Sequence, residues 1–148
     1  MRHFYYTNQC VDSKEARRLE LIIEAQTGLH LENPFFDSDA KEGDTVLEMT
    51  KEKLAKGDAG KPQLTADEIV GMDLRKIRES EGIVAMMTSE YCVGSVMEIA
   101  IAAFSWGKPV YVIARNPYFR VHPWIKYFAS KIFDDVHAFI EYAKEHLQ

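Results

Sequence analysis

Cysteine is scarce: Cys10 and Cys92 are the only two in 148 residues, too few for a disulfide framework or a thiolate metal cluster. The five histidines, at positions 3, 30, 122, 137 and 146, show no HxxxH spacing, so no metal site is expected. Basic excess is missing as well. Eighteen Lys and Arg are interspersed with 23 acids for a formal net charge of -5, which argues against duplex nucleic acid as a partner. The longest apolar run, residues 93–106, contains Glu98 and is too short to cross a bilayer. The first residues are strand-like and lack the apolar stretch of a secretion signal, so the chain reads as a cytoplasmic protein with no membrane partner. There is no internal repeat and no low-complexity tract. The loop at residues 88–95 has one glycine, Gly94, and matches neither GxGxxG nor GxxxxGK[ST], which removes the dinucleotide fingerprint and the Walker A loop.

What is present is the composition of one ordinary globular domain over residues 1–148, 47% hydrophobic and 28% charged. Residues 2–8 (RHFYYTN) are aromatic-rich and β-prone. Asp12 with Glu15 offers a capping box for a helix striped by Ala16, Leu19, Ile22 and Ile23, which Gly28 ends. Residues 30–36 (HLENPFF) read as a short second strand limited by Pro34, and the polar residues 37–44 as a loop. Residues 45–56 are helical in composition and close in the Gly/Pro punctuation of residues 57–62. Thr65 with Glu68 caps a further helix whose inward stripe is Ile69, Met72, Asp73, Lys76 and Ile77.

Residues 82–88 (GIVAMMT) have the continuous apolar character of a strand buried on both faces. A helix over 94–105, a strand over 108–114 and a short helix over 124–130 follow. Ile132 and Phe133 mark a last strand, and residues 135–147 a terminal helix. Strands alternating with helices imply a doubly wound α/β sandwich around a mainly parallel sheet, with ligands at the carboxyl ends of the strands. Those ends carry residues 7–10, 33–36, 88–94 and 115–118, and a helix N-terminus at Gly94 and Ser95 could hold a phosphate; Asn8, Phe35, Cys92, Gly94 and Ser95 are the expected substrate-binding positions.

Glu98 is the main candidate for chemistry, because an acid inside VGSVMEIAIAAF needs a partner, a cap or a reaction. With Ser95 as N-cap it occupies N3, where the helix dipole favours an ionised carboxylate; the same spacing is also that of a capping box with no further role. Asp73 interrupts an apolar stripe and is either a general acid or one half of a surface pair with Arg75 or Lys76. Tyr5 and Tyr6 alternate faces, so one reaches the pocket and the other the core. Cys92 precedes a helix N-terminus, a setting that lowers a thiol pKa, but has no His nearby in sequence. Tyr118, Phe119, Trp124, Tyr127 and Phe128 form an aromatic group suited to stacking a base, to a subunit contact or to core packing.

Taken together, DLRKIRESEGIVAMM followed by CVGSVMEIAIAAFSWGKPVYVIA resembles the nucleoside 2-deoxyribosyltransferase family and its relatives that hydrolyse nucleoside 5′-monophosphates. The likeness runs over residues 73–114 and, more weakly, the first strand, about a third of the chain. It implies a flavodoxin-like three-layer α/β/α sandwich with a five-stranded sheet, a homo-oligomer, no metal or organic cofactor, and a nucleoside or nucleoside monophosphate and free base as ligands. It places Glu98 at the nucleophile that attacks the sugar C1′, Asp73 at the acid that protonates the departing base, and Tyr5 at the tyrosine beside the nucleophile. Such chemistry passes through an oxocarbenium-like state that a carboxylate stabilises. The pattern departs at Cys92, where transferases carry Asp and the hydrolases can carry Ser. It departs again at Asn8, where the family has glycine, and at Ala100-Ile101-Ala102 in place of G-x-A. A 5′-monophosphate hydrolase and a non-catalytic nucleotide sensor are the alternatives, and a purely structural module would require Glu98 to be only a cap.

Overall fold

The run IVAMM forms β3 (Ile83–Met87) and VYVIA forms β4 (Val110–Ala114), and all ten residues are buried. Such uniformly apolar strands need cover on both faces. In the computed structural model, which describes residues 2–9, 12–36, 66–88 and 92–148, they are the centre of a five-stranded, wholly parallel sheet. The order is β2-β1-β3-β4-β5, with β1 His3–Thr7, β2 His30–Glu32 and β5 Lys131–Phe133. This is the flavodoxin-like order, whose chain reverses direction of travel between β1 and β3 and opens a crevice there. The polar stretch, helix and turn expected at residues 37–62, and the Thr65 cap, lie outside the described residues.

Alternation along the strands splits the core in two. Phe4, Tyr6, Val84, Met86, Tyr111 and Ile113 face α1 (Ser13–Thr27) and the terminal helix, α6 (Val136–His146). Tyr5, Ile83, Ala85, Met87, Val110 and Val112 face α2 (Ala66–Glu79), through Ile77, and α3 (Val93–Ala100), through Ile99. A π-helical turn, Ile101–Ser105, continues α3. Two short helices, α4 (Tyr118–Val121) and α5 (Pro123–Phe128), lie on this second face and add Phe119 and Ile125. The sandwich therefore has three layers. No described helix is long and apolar enough to cross a membrane.

Helix ends follow local chemistry in some places and tertiary contacts in others. Gly28 closes α1 at φ 76 with its N–H on the Glu24 carbonyl, and Asp135 caps α6 by accepting the Ala138 N–H at 2.8 Å. The capping box expected at Asp12 and Glu15 does not form. Asp12 instead accepts the Thr88 hydroxyl at 2.8 Å across the β1/β3 gap, and Glu15 pairs with Arg18 and Arg115. β2 stops at Glu32, short of the expected Phe36, because the Asn33 side-chain oxygen takes the Phe35 N–H at 3.0 Å and turns the chain. The short helix expected at 124–130 is α5, and a further short helix, α4, precedes it; Pro123 holds His122 extended between the two.

Gly82 leads into β3 with no room for a side chain: a Cβ there would strike the Pro109 carbonyl, which accepts the Ile83 N–H at 3.0 Å. Gly82→Ala is expected to lower unfolding free energy by about 1–3 kcal/mol through overpacking of the β3–β4 start. Urea denaturation checks this, and a loss under about 0.5 kcal/mol would contradict it.

Candidate active site

Tyr5 and Thr7 are two apart on β1, so both side chains leave the same face of the sheet and meet α3. The Tyr5 hydroxyl donates to Glu98 Oε2 at 2.6 Å and the Thr7 hydroxyl to Glu98 Oε1 at 2.7 Å. Thr7 Oγ1 also lies 2.8 Å from Ser95 Oγ. An ionised carboxylate only accepts, so the single Thr7 proton is committed to Glu98 and Ser95 donates to Thr7. Burial pushes the Glu98 carboxyl up from its ordinary value, and the Tyr5 and Thr7 hydrogen bonds oppose that shift. Burial, then the charge of Glu98, drives the Tyr5 phenol well above its usual range, so it stays protonated as a donor.

This arrangement corrects the expected capping box. Helix α3 begins at Val93 with Cys92 as N-cap, which makes Ser95 N3 and sets Glu98 a further turn inside. The dipole of a helix acts mainly within its first turn, so the two β1 hydroxyls, not the helix end, hold the Glu98 charge. Cys92 is corrected too. Its thiol is pushed up, not down, by burial, with only a side-chain hydrogen bond from Gln9 acting the other way.

Asp73 sits half-buried on α2, and its carboxyl is raised to about 7, first by burial and then by the charge of Glu98, against an opposing effect of Lys76. Lys76 is itself buried and lies 3.2 Å from Glu32, whose other oxygen is 2.9 Å from His3 Nε2. Asp73 thus keeps its proton up to about pH 7 while Glu98 holds two donors. One carboxyl is suited to give a proton, and the other is held by two hydroxyl donors that oppose the upward push of burial.

All eight residues singled out from the sequence, Tyr5, Asn8, Phe35, Asp73, Cys92, Gly94, Ser95 and Glu98, line one cleft of about 430 Å³. It opens at the carboxyl ends of β1 and β3, and Ile69, Val70, Leu74, Met97 and Ile101 supply apolar walls. Thr7 carries as much of the geometry as Tyr5 but was legible only through its spacing of two from Tyr5. Gln9 was not singled out: its Oε1 accepts the Thr88 N–H at 3.2 Å and lies 2.9 Å from the Thr88 hydroxyl, whose proton goes to Asp12, and it ties the ends of β1 and β3 together. A second missed element is the buried chain that holds Asn8. Asn8 Nδ2 donates to Asn33 Oδ1 at 3.2 Å, Asn33 Nδ2 to Glu20 at 2.8 Å, and Arg17 to Glu20 at 2.6 Å.

The aromatic group is not part of this cleft. Phe119 is in the core, while Trp124, Tyr127 and Phe128 line a separate groove with Pro123, about 270 Å³ in volume. Among the described residues no group of three or more His, Cys, Asp or Glu is placed to hold a metal ion.

Fold and cleft define a flavodoxin-like α/β protein with a hydroxyl-held carboxylate and a proton-bearing carboxyl at the switch point of its sheet. No protein-family model matches the chain, and no curated protein matches it in sequence. Among solved structures it is similar to a conserved protein from Enterococcus faecalis, 14% identical, with 98% of each chain covered and a TM-score of 0.67. That likeness is one of fold.

The raised Asp73 carboxyl has a consequence for stability. Its folded value of about 7 lies above the model-compound value of 3.8, so the stability it contributes is complete below 3.8 and is lost as pH rises through about 7. Asp73→Asn removes this dependence. The variant should match the wild type near pH 4 and exceed it above about pH 7.5 by about 2 kcal/mol, water at the half-buried carboxyl trimming the effect. Urea titrations at the two pH values check this; a gap independent of pH would show an ordinary carboxylate.

Proposed function

We propose that this protein cleaves or transfers the N-glycosidic bond of a (deoxy)nucleoside, with Glu98 as nucleophile and Asp73 as the acid for the departing base. The observation that carries the reading is Glu98 held between the Tyr5 and Thr7 hydroxyls in a cleft it shares with the raised carboxyl of Asp73. A Glu98 oxygen attacks C1′, and the C1′–N bond breaks with its electron pair on the base nitrogen. The base leaves with the proton of Asp73. Water or a second base then gives a proton to the Asp73 carboxylate, attacks C1′ and frees Glu98, which gives hydrolysis or transfer respectively and restores both acids. The hydroxyls of Tyr5 and Thr7 orient the nucleophile and relinquish part of their bonding as its charge is spent. No metal or organic cofactor is required by these steps.

A 5′-monophosphate as substrate is the second reading, and one feature favours it. The N-terminal turn of α3 borders the cleft at Val93 and Gly94, and its N-cap, Cys92, makes no side-chain cap hydrogen bond, so backbone donors there suit an anion. The reading also includes a homo-oligomer, supported by the exposed Phe104, Trp124 and Tyr127, whose rings all contact Phe128.

Chromatography of 2′-deoxynucleosides and their 5′-monophosphates, with and without a second free base, tests the reaction. Base release is expected from the wild type and a fall of about 10³-fold or more in Glu98→Gln, since the nucleophile is removed. Turnover unchanged in that variant would sink the mechanism, and ligand-induced stabilisation without base release would point to a sensor. On the alkaline side kcat/KM should fall as pH rises through about 7, where Asp73 loses its proton, and Asp73→Asn should lack that limb. Sedimentation velocity tests the assembly: Trp124→Glu with Tyr127→Glu should shift the wild-type species to a smaller one, whereas a monomeric wild type would remove the oligomer from the reading.

A further inference from the structure

Lys76 is only 2% exposed and belongs to the inward stripe of α2, where a charge needs a reason. Its ammonium lies 3.2 Å from Glu32 Oε1 on β2, and Glu32 Oε2 lies 2.9 Å from His3 Nε2 on β1. Asp73 stands one turn earlier on the same helix, a spacing of three that brings two side chains together. Lys76 and Glu98 act on the Asp73 carboxyl in opposite senses, and Glu98, Asp73 and Glu32 all lie within electrostatic range of the Tyr5 phenol. Among the described residues, the titratable groups that face this cluster are Glu98 from α3, Glu32 from β2, and His3 and Tyr5 from β1. β3 is wholly apolar, and the other charged residues of α2 are exposed.

Packing does not call for this arrangement. A buried ion pair contributes little net stability once its desolvation is offset, and an apolar side chain on α2 would fill the same space. What the pair supplies is a positive charge fixed beside an acid. When the base leaves, the O–H bond of Asp73 breaks, its electron pair stays on the carboxylate and the proton joins the base nitrogen, so a poorly hydrated anion is left behind. In the resting cleft the charge of Glu98 keeps the proton on Asp73, and Lys76 opposes it. Once the Glu98 oxygen is bonded to C1′ that charge is gone, and the charge still acting on Asp73 is that of Lys76. Bond formation at Glu98 therefore makes Asp73 a stronger acid when the base needs its proton. Glu32 governs how much of the Lys76 field reaches Asp73, because it shares the same ammonium.

We propose that Lys76 is the positioning residue of the acid: anchored by Glu32, it holds its ammonium beside Asp73 and stabilises the carboxylate that forms there as the base departs. The proposal rests on the reading of Asp73 as the acid of a nucleoside-cleaving site, and it concerns a group that does not line the cleft and acts only through Asp73.

The test compares the wild type with Lys76→Met and Glu32→Gln, each first shown to be folded by thermal melting. One readout is the pH profile of kcat/KM for 2′-deoxynucleosides; the other is the titration midpoint of the Asp73 carboxyl carbon by NMR, which needs no turnover. Lys76→Met should move the midpoint and the alkaline limb up by about half a pH unit or more, and lower kcat about 10-fold with KM within about twofold. Glu32→Gln should move both down, since the Lys76 field is released toward Asp73. Loosened packing would instead lower the midpoint in both variants, as water reaches the carboxyl, and that result overturns the proposal. So does a midpoint that neither variant moves. In the wild type the side-chain nitrogen resonance of Lys76 should shift through the Asp73 midpoint, and Asp73→Asn should abolish that step, which decides the matter if neither replacement folds. A Lys76 resonance indifferent to Asp73 overturns the proposal. If the wild type releases no base from any nucleoside, the reaction proposed above falls, and the two NMR titrations decide the placing of Lys76 by themselves.

Discussion

A carboxylate kept from water by two hydroxyl groups of a neighbouring strand is the interaction around which this molecule is organised. Glu98 lies inside an apolar helix, and without Tyr5 and Thr7 its charge would be desolvated and unpaired, which is among the more destabilising states a core can hold. Meeting both hydroxyls requires α3 to dock on β1 at one position along its axis. That position depends in turn on the sheet: Tyr5 and Thr7 are in register with Ile83 and Ala85 of β3, and β3 with β4. A slip of one residue would turn Tyr5 and Thr7 to the opposite face, where Phe4 and Tyr6 now pack. Site geometry and core packing are thus one constraint.

The second carboxyl takes its character from the first. Asp73 is lifted by burial and by the charge of Glu98, and the nearby ammonium of Lys76 does not cancel the lift. Lys76 is shared with Glu32, which also meets His3, so its field is partly spent on the β1/β2 side of the sheet. Two acids in one cleft thus differ through their surroundings and not through their side-chain chemistry: burial lifts both, and two hydroxyl donors oppose the lift at Glu98 alone. The crevice that brings them together is the topological reversal between β1 and β3, bridged by Gln9 and Asp12 from one side and Thr88 from the other.

Much of this was legible in the order of residues. The uninterrupted apolar strands at 83–87 and 110–114 announced a sheet covered on both faces, and Gly28 and Asp135 ended and began helices by chemistry confined to a few residues. Glu98 and Asp73 stood out because each breaks an apolar stripe, a signal that survives without knowledge of the partner. Where prediction failed, a distant group had outcompeted a local one. Thr88 took the Asp12 side chain from its helix, Thr7 took the place assigned to the Ser95 backbone as partner of Glu98, and the Asn33 side chain cut β2 short. Cys92 was read from its place before a helix, but burial, which sequence order does not report, dominates its thiol.

The sequence by itself determined which residues would be strand, helix and turn over most of the described chain, and which acids had no business in a core, because hydrophobic periodicity and capping act over a few residues. Only the tertiary structure decided who partners those acids. The Tyr5–Glu98 contact spans 93 positions and the Thr88–Asp12 contact 76. Such pairings are set by sheet register and helix docking, and the protonation of Asp73 follows from the burial that results.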